Sequence, residues 1–396
     1  MKVLNCRQAI FAYESIGCHM KAAAQEILGL DIQELTSLLK DWGEPRYRAK
    51  QVFQAIYQNR VTSLDELTVF PKALREQLKS ENLIVTAARL EKKFISSDGT
   101  IRYLIGFADG QSVETVWMPE GDDGEAGDGT EAGEEEISRK RPRATICVSS
   151  QVGCAVNCKF CMTALLGLKR NLTAGEIVAQ ITSVLNDHKV DLKKKRVNLV
   201  FMGQGEPFNN YDHFIKAVRL LVEGVGIAES RMTVSTSGIV PRIYDLGKEA
   251  IRPKLAISLN ASNDEERTKL IPINKKWDIP ALVEAAKAFP LRRRENITFE
   301  YVLLKGENDS IENAKEVIGI VKSFGELANR VKLNLIAWNS GPEIPFHTPE
   351  DSRVFAFQKT IRDAGIPAFI RRPRGRDIYA ACGQLKRMVN IVTAAV

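Results

Sequence analysis

The chain has 396 residues, 44% of them hydrophobic and 27% charged, and a net charge of +7. This is enough to bury a large core together with a small second unit, and no stretch approaches the twenty or so apolar residues of a membrane span. Arg7 and Glu14 interrupt the apolar residues of the N-terminus, which excludes the unbroken core of a secretory signal, so a cytoplasmic protein is expected.

In chain order, residues 1–88 read as a helical unit. Apolar residues recur at three- and four-residue spacing in IQELTSLLKDWG, RAKQVFQAIYQ and SLDELTVFPKALREQLKSE. Residues 89–143 change to alternation around Asp98-Gly99 and Asp109-Gly110, which predicts a small antiparallel hairpin extension. Within it, residues 120–136 carry nine acids and five glycines with no large apolar side chain, and a disordered insertion is expected. Its acids mask a much more basic remainder, with clusters at Arg139–Arg141, Lys193–Arg196, Arg292–Arg294 and Arg371–Arg376. Such an excess favours a polyanionic partner.

From residue 144 to the end, strands alternate with helices. ATICVSS, RVNLVFMG, RMTVSTSG, KLAISLN, NITFEYVLL and RVKLNLIAW are the predicted strands, with helices near 174–186, 214–223, 279–288, 310–324 and 351–364. The alternation implies a parallel α/β sheet of six units. A partial barrel and a flat doubly wound sheet both satisfy it, and a barrel would gather functional residues at the C-terminal ends of its strands.

Seven cysteines, four of them between Cys147 and Cys161, fit a reducing compartment better than a disulfide framework. Cys154, Cys158 and Cys161 form a CxxxCxxC triad with no fourth cysteine beside it. Three thiolates suit a 4Fe–4S cluster with one iron left open, where S-adenosylmethionine can chelate and be cleaved to a deoxyadenosyl radical. A structural zinc normally recruits four ligands, and a non-catalytic zinc-dependent RNA-binding protein is the alternative from another class.

The triad, together with MGQGEP, VSTSG, AISLN, INKK and LIAWN, with Cys147 upstream and Cys382 in AACGQL, resembles the RlmN/Cfr family of radical S-adenosylmethionine RNA methyltransferases over about residues 30–384. The resemblance implies a partial (β/α)6 barrel, and it is closer to the RlmN branch, which methylates C2 of adenine in 23S rRNA, at the peptidyl transferase centre, and in tRNA. A Cfr-like C8 methyltransferase is the alternative. By the same resemblance, S-adenosylmethionine contacts fall on Gly205, Glu206, Ser235, Ser258, Leu259, Asn260 and Asn339. Asn260 departs from the histidine common in the family. An electron donor such as flavodoxin or ferredoxin and a monomeric chain are further implications, as is an RNA-binding role for the helical unit around Arg46, Arg48, Lys50 and Gln51.

C2 of adenine is electron-poor and cannot displace a methyl from a sulfonium. A cysteine can accept the methyl first, and a radical formed on that methyl then adds to the ring. On the family pattern Cys382 is this carrier, on a mobile loop and activated as a thiolate. Cys147 is the resolving thiol, which releases the base and leaves a Cys147–Cys382 disulfide for reduction, and Glu114 is the proton acceptor.

Overall fold

The computed structural model describes residues 24–119, 143–371 and 373–386; the acidic insertion lies outside them, as do Cys6 and Cys18. Strand β1 (Gln25–Glu26) pairs in parallel with β2 (Leu83–Ile84), and helices Ile32–Asp41, Arg46–Phe53 and Lys72–Ser80 lie between them. Asp31 starts the first helix with a capping box to Glu34, which satisfies amide groups that the first turn leaves without partners. The chain then forms β3 (Arg89–Ile95), β4 (Ile101–Gly106) and β5 (Ser112–Pro119), and beyond the insertion β6 (Arg143–Cys147). A short pair, β7 (Gln151–Val152) and β8 (Arg170–Asn171), precedes β9 (Arg196–Phe201), β10 (Met232–Thr236), β11 (Lys254–Ser258), β12 (Ile297–Leu303), β13 (Val331–Ala337) and β14 (Ala368–Arg371).

Ten strands make one sheet in the order β14-β13-β12-β11-β10-β9-β6-β5-β4-β3. From β6 to β14 every pairing is parallel and each strand follows its predecessor in sequence. A doubly wound sheet reverses its order at a switch point, and this one never does. The winding is that of a barrel whose sheet stays open. Six strand–helix units run from β6 through β13, as expected, and the four-residue β14, too short to show a period, adds a seventh parallel strand. The hairpin strands extend the same sheet, since β5 pairs antiparallel with β6 and carries β3 and β4 with it.

Alternation along the strands sorts their side chains. Leu255 and Ile257, Phe299 and Tyr301, and Leu333 and Leu335 belong to the main hydrophobic core, while Ala256 and Ser258, Thr298 and Glu300, and Lys332 and Asn334 line the bore. The interior is therefore polar, unlike the packed interior of a closed eight-stranded barrel. The N-terminal helices share the main core, with Leu35, Val52 and Ile56 in the same cluster as Ile177, Phe214 and Leu221. Where they meet the barrel, a Cβ on Gly175 would lie 2.1 Å from the Leu28 carbonyl oxygen, so glycine is required for the close approach.

Candidate active site

Beyond β6 the chain makes the cysteine loop, whose base is closed by antiparallel pairing of Gln151 with Asn171 and Val152 with Arg170. The Trp338 indole donates to the Phe160 carbonyl at 3.0 Å and pins the loop to the end of β13. Cys154, Cys158 and Cys161 line a cavity of about 930 Å³, a volume that suits a ligand of cofactor size. They pack against Val156, Phe160, Leu270, Ile271 and Trp338. Burial pushes the Cys154 thiol up to about 12 and raises Cys158 and Cys161 as well. These sulfurs favour their protons until a cation takes their place. Among the described residues no three such side chains converge as they would around a single ion. Three thiols are the number that a 4Fe–4S cluster with one open iron takes, against the four ligands of a structural zinc.

The strand ends supply the opposite wall: Gly205, Glu206, Ser235, Ser258 and Asn260 line this cavity, as expected from the sequence. The buried Glu206 carboxylate accepts from Phe208 N at 3.1 Å and from Ser237 N and Oγ at 2.7 and 2.8 Å. Desolvation still raises its pKa above the usual carboxylate value. Ser235 Oγ lies 3.2 Å from Ser258 Oγ and donates to Glu300 at 2.9 Å. Asn260 holds a left-handed φ of 54° and accepts from Val302 N at 2.8 Å.

Two expected contacts are placed elsewhere. The Leu259 side chain is fully buried in the core and leaves only its backbone near the site. Asn339 lines a neighbouring cavity and accepts from Arg376 Nε at 2.8 Å. Arg267, unremarked in the sequence, joins the loops after β10 and β11 by donating to the carbonyls of Ser237, Ser258 and Leu259 and to Asn274 Oδ1. Asn274 is the polar residue of INKK, which gives that motif a structural purpose.

Gly205 offers a sharp test of this wall. Its φ is +97°, and a Cβ would meet Gln151 Cβ at 2.6 Å and its backbone nitrogen at 2.7 Å. Gly205→Ala is expected to cost about 1–3 kcal/mol of strain and to weaken S-adenosylmethionine binding at least tenfold, read by calorimetric titration of the anaerobically reconstituted protein.

The neighbouring cavity, about 750 Å³, is lined by Cys147, Arg371, Arg374 and Asn339, and shares Cys161, Met202, Gly203 and Cys382 with the first. Cys382 is exposed and lines both spaces, and desolvation raises its thiol. Burial, with Cys382 nearby, pushes Cys147 up to about 12, while Arg371 lowers both. No disulfide joins them, and both are free thiols. Arg371 pairs with Glu300 at 3.2 Å, linking the carrier side to the serine wall; in the sequence Arg371 is visible only as part of a basic cluster, and its pairing with Glu300 is not.

Glu114 stands apart from both cavities. It lies in β5, buried and ion-paired with the fully buried Arg102, with Gln204 Nε2 donating at 3.3 Å, and it lines neither cavity.

The carrier segment is docked, where a mobile loop was expected. Met162 N donates to the Gly383 carbonyl at 2.7 Å and Thr163 Oγ1 to the Leu385 carbonyl at 2.8 Å. On its other side the β3–β4 turn holds it: Gly375 N donates to Asp98 at 2.9 Å, and Ser96 Oγ and Ser97 N donate to Asp377 at 2.5 and 3.1 Å. Desolvation raises the Asp98 carboxyl, but hydrogen bonds from Gly375, Thr100 and Ser96 outweigh it and leave the pKa lowered. A lowered folded-state pKa stabilises docking above the unfolded value, and the contribution is lost as pH falls through the folded one. Asp98→Ala is expected to reduce RNA methylation several-fold and to abolish that acid-side loss of docking, followed by hydrogen exchange of residues 373–386.

Comparison with known proteins agrees with this arrangement. Residues 148–318 match the family model of the radical SAM superfamily, and residues 25–84 match that of the ribosomal RNA large subunit methyltransferase N-terminal domain. The chain is 64% identical over 345 residues to the probable dual-specificity RNA methyltransferase RlmN of Koribacter versatilis, covering 87% of this chain and 97% of that one. It is 41% identical to the dual-specificity RNA methyltransferase RlmN 2 of Myxococcus xanthus, with 91% and 90% covered. A crystal structure of a radical SAM methyltransferase from Sphaerobacter thermophilus superposes with a TM-score of 0.80 at 39% identity, covering 91% of this chain and 99% of that one. Given this likeness over nearly its whole length, the chain belongs to the RlmN family of radical S-adenosylmethionine RNA methyltransferases.

Proposed function

We propose that the chain methylates C2 of adenine in 23S rRNA, at the A2503 type of site, and at A37 of tRNA, through a methyl carried on Cys382. The observation that supports this most is the continuity of the two cavities: Cys382 faces the cysteine triad on one side and Cys147 on the other. Cys154, Cys158 and Cys161 would hold a 4Fe–4S cluster, and Gly205, Glu206, Ser235, Ser258 and Asn260 would hold S-adenosylmethionine, with Asn339 positioned on the carrier side. The cluster with S-adenosylmethionine supplies one-electron cleavage and hydrogen abstraction.

The chain's own residues do the rest. Cys382 takes a methyl by displacement at the sulfonium carbon and loses its thiol proton. After the carbon joins the ring, the adduct gives up the C2 proton and one electron, which the cluster would take back; the Cys147 thiolate then attacks the Cys382 sulfur, the C–S pair passes to the methylene carbon, which takes a proton to become the methyl group, and a Cys147–Cys382 disulfide remains for a dithiol reductant, while an electron donor such as flavodoxin or ferredoxin would serve the cluster. Glu114, fixed by Arg102, serves as proton acceptor only through Gln204 or a shift of β5. The basic surface and the N-terminal helices around Arg46, Arg48 and Lys50 contact RNA, and the protein acts as a cytoplasmic monomer. No helix among the described residues is long and apolar enough to cross a membrane.

Cys147→Ala should still load Cys382 with methyl but stall as a covalent protein–RNA complex, visible on a denaturing gel; turnover at the wild-type rate would count against the role. The product is tested on RNA from cells lacking the native enzyme, digested and compared chromatographically with 2-methyladenosine and 8-methyladenosine. A dominant 8-methyl product would favour the Cfr-like alternative.

A further inference from the structure

A third cavity of about 620 Å³ occupies the lower part of the barrel bore. Thr233, Lys254, Thr298, Lys332 and Asn334 line it, with Arg294 at its edge. It shares Val200, Met202 and Arg371 with the cavity of Cys147 and Cys382, so the two spaces are contiguous. Among the described residues its two carboxylate neighbours are engaged: Glu295 pairs with Arg252 at 2.8 Å, and Glu300, one layer above, pairs with Arg371 at 3.2 Å. Lys254, Lys332, Arg294 and Arg371 give the described lining its positive charge. Asn334 adds an independent sign of a ligand. It is 5% exposed and its Oδ1 has no hydrogen-bond partner. A buried amide left this way costs about 1–3 kcal/mol unless something completes it, and turning it end for end presents its N–H groups to the cavity instead. Arg294 reaches the edge from a turn with φ of 64°, fixed by Glu295 accepting from Arg292 N at 2.8 Å. A non-glycine residue in that region is uncommon and is held there by its surroundings.

We infer that this lower bore is a phosphate site, occupied during catalysis by a backbone phosphate of the RNA next to the adenine presented to Cys382. The inference rests on the proposed methyl transfer and adds to it the group that fixes the nucleotide from below. Lysine, arginine and amide N–H groups in a recess suit phosphate oxygens, and the recess opens into the carrier cavity where the base would be presented. A partner bound at the outer surface alone would not need polar residues layered inside the bore.

The test uses the full chain, reconstituted anaerobically, in two variants: Lys254→Ala/Lys332→Ala and the near-isosteric Asn334→Asp, which places negative charge in the recess. Binding of a short adenine-containing RNA hairpin is measured against salt, with inorganic phosphate as competitor, and Cys382 methylation without RNA is measured alongside. The expected result is about tenfold weaker RNA binding in both variants, a shallower salt slope by about one in the lysine variant, millimolar phosphate competing only with wild type, and Cys382 methylation retained. Unchanged RNA affinity and slope would overturn the inference. Phosphate binding that the variants lose while RNA binding is unaffected would assign the site to a free anion and overturn the RNA occupant. Loss of Cys382 methylation in both variants would show that the bore serves the cofactor side and would also overturn it. Absence of Cys382 methylation in the wild type would instead strike the proposed function.

Discussion

Cys382→Ala is expected to abolish methyl transfer to RNA, to below about one part in a thousand of wild type, while leaving the fold and the cysteine triad intact. The residue sits between Ala381 and Gly383 on a segment held by backbone contacts from Met162 and Thr163, and its own side chain carries no packing that the docking needs. An electron-poor ring carbon has no polar route to the methyl group, so removal of the carrier leaves no slower path of the same chemistry. Peptide mass spectrometry of active wild type should find one methyl on Cys382, and labelled methyl should pass from it to RNA. Methylation of RNA by the alanine variant would end the carrier scheme.

Substitution of any one of Cys154, Cys158 and Cys161 by alanine should reduce deoxyadenosine formation to background and bleach the brown colour of the reconstituted protein. Each thiol lines the same cavity, and burial raises all three, so the site gains its charge balance only when metal replaces the protons. Two thiolates cannot hold a cubane open at one corner. The measurements are iron and sulfide content, the dithionite-bleachable absorption, and chromatography of deoxyadenosine. Stoichiometric zinc with full methyltransferase activity would sink the cluster assignment and restore the zinc alternative.

Several elements were legible because their physics is local. The triad's spacing alone places three thiols on one loop, and strand β11, read from KLAISLN, and the helix Ile279–Lys287 follow from period and length. Helices Val240–Lys248 and Asp264–Leu270 escaped prediction. The first begins with Pro241 near its start and buries only Ile243 and Leu246, and the second is a seven-residue charged run, so neither shows a sustained apolar face.

What the sequence by itself determined is the chemistry on offer: the cysteines, the glycines that admit a ligand, the serines and carboxylate at strand ends, and the basic excess. Only the tertiary structure decided which of these meet. Glu114 and Asn339 sit in suitable motifs, but cross-strand register turns the first toward Arg102, and the segment after β14 brings Arg376 to the second. Glu300 and Arg371 lie 71 residues apart and form the ion pair between the serine wall and the carrier, because β12, β13 and β14 stand side by side. Asp98 holds Gly375 across 277 residues although the β3–β4 hairpin and β14 lie at opposite ends of the strand order, because the open sheet curls and brings its two ends together. Such pairings depend on loop closure and packing over the whole chain, and no window of sequence contains both partners.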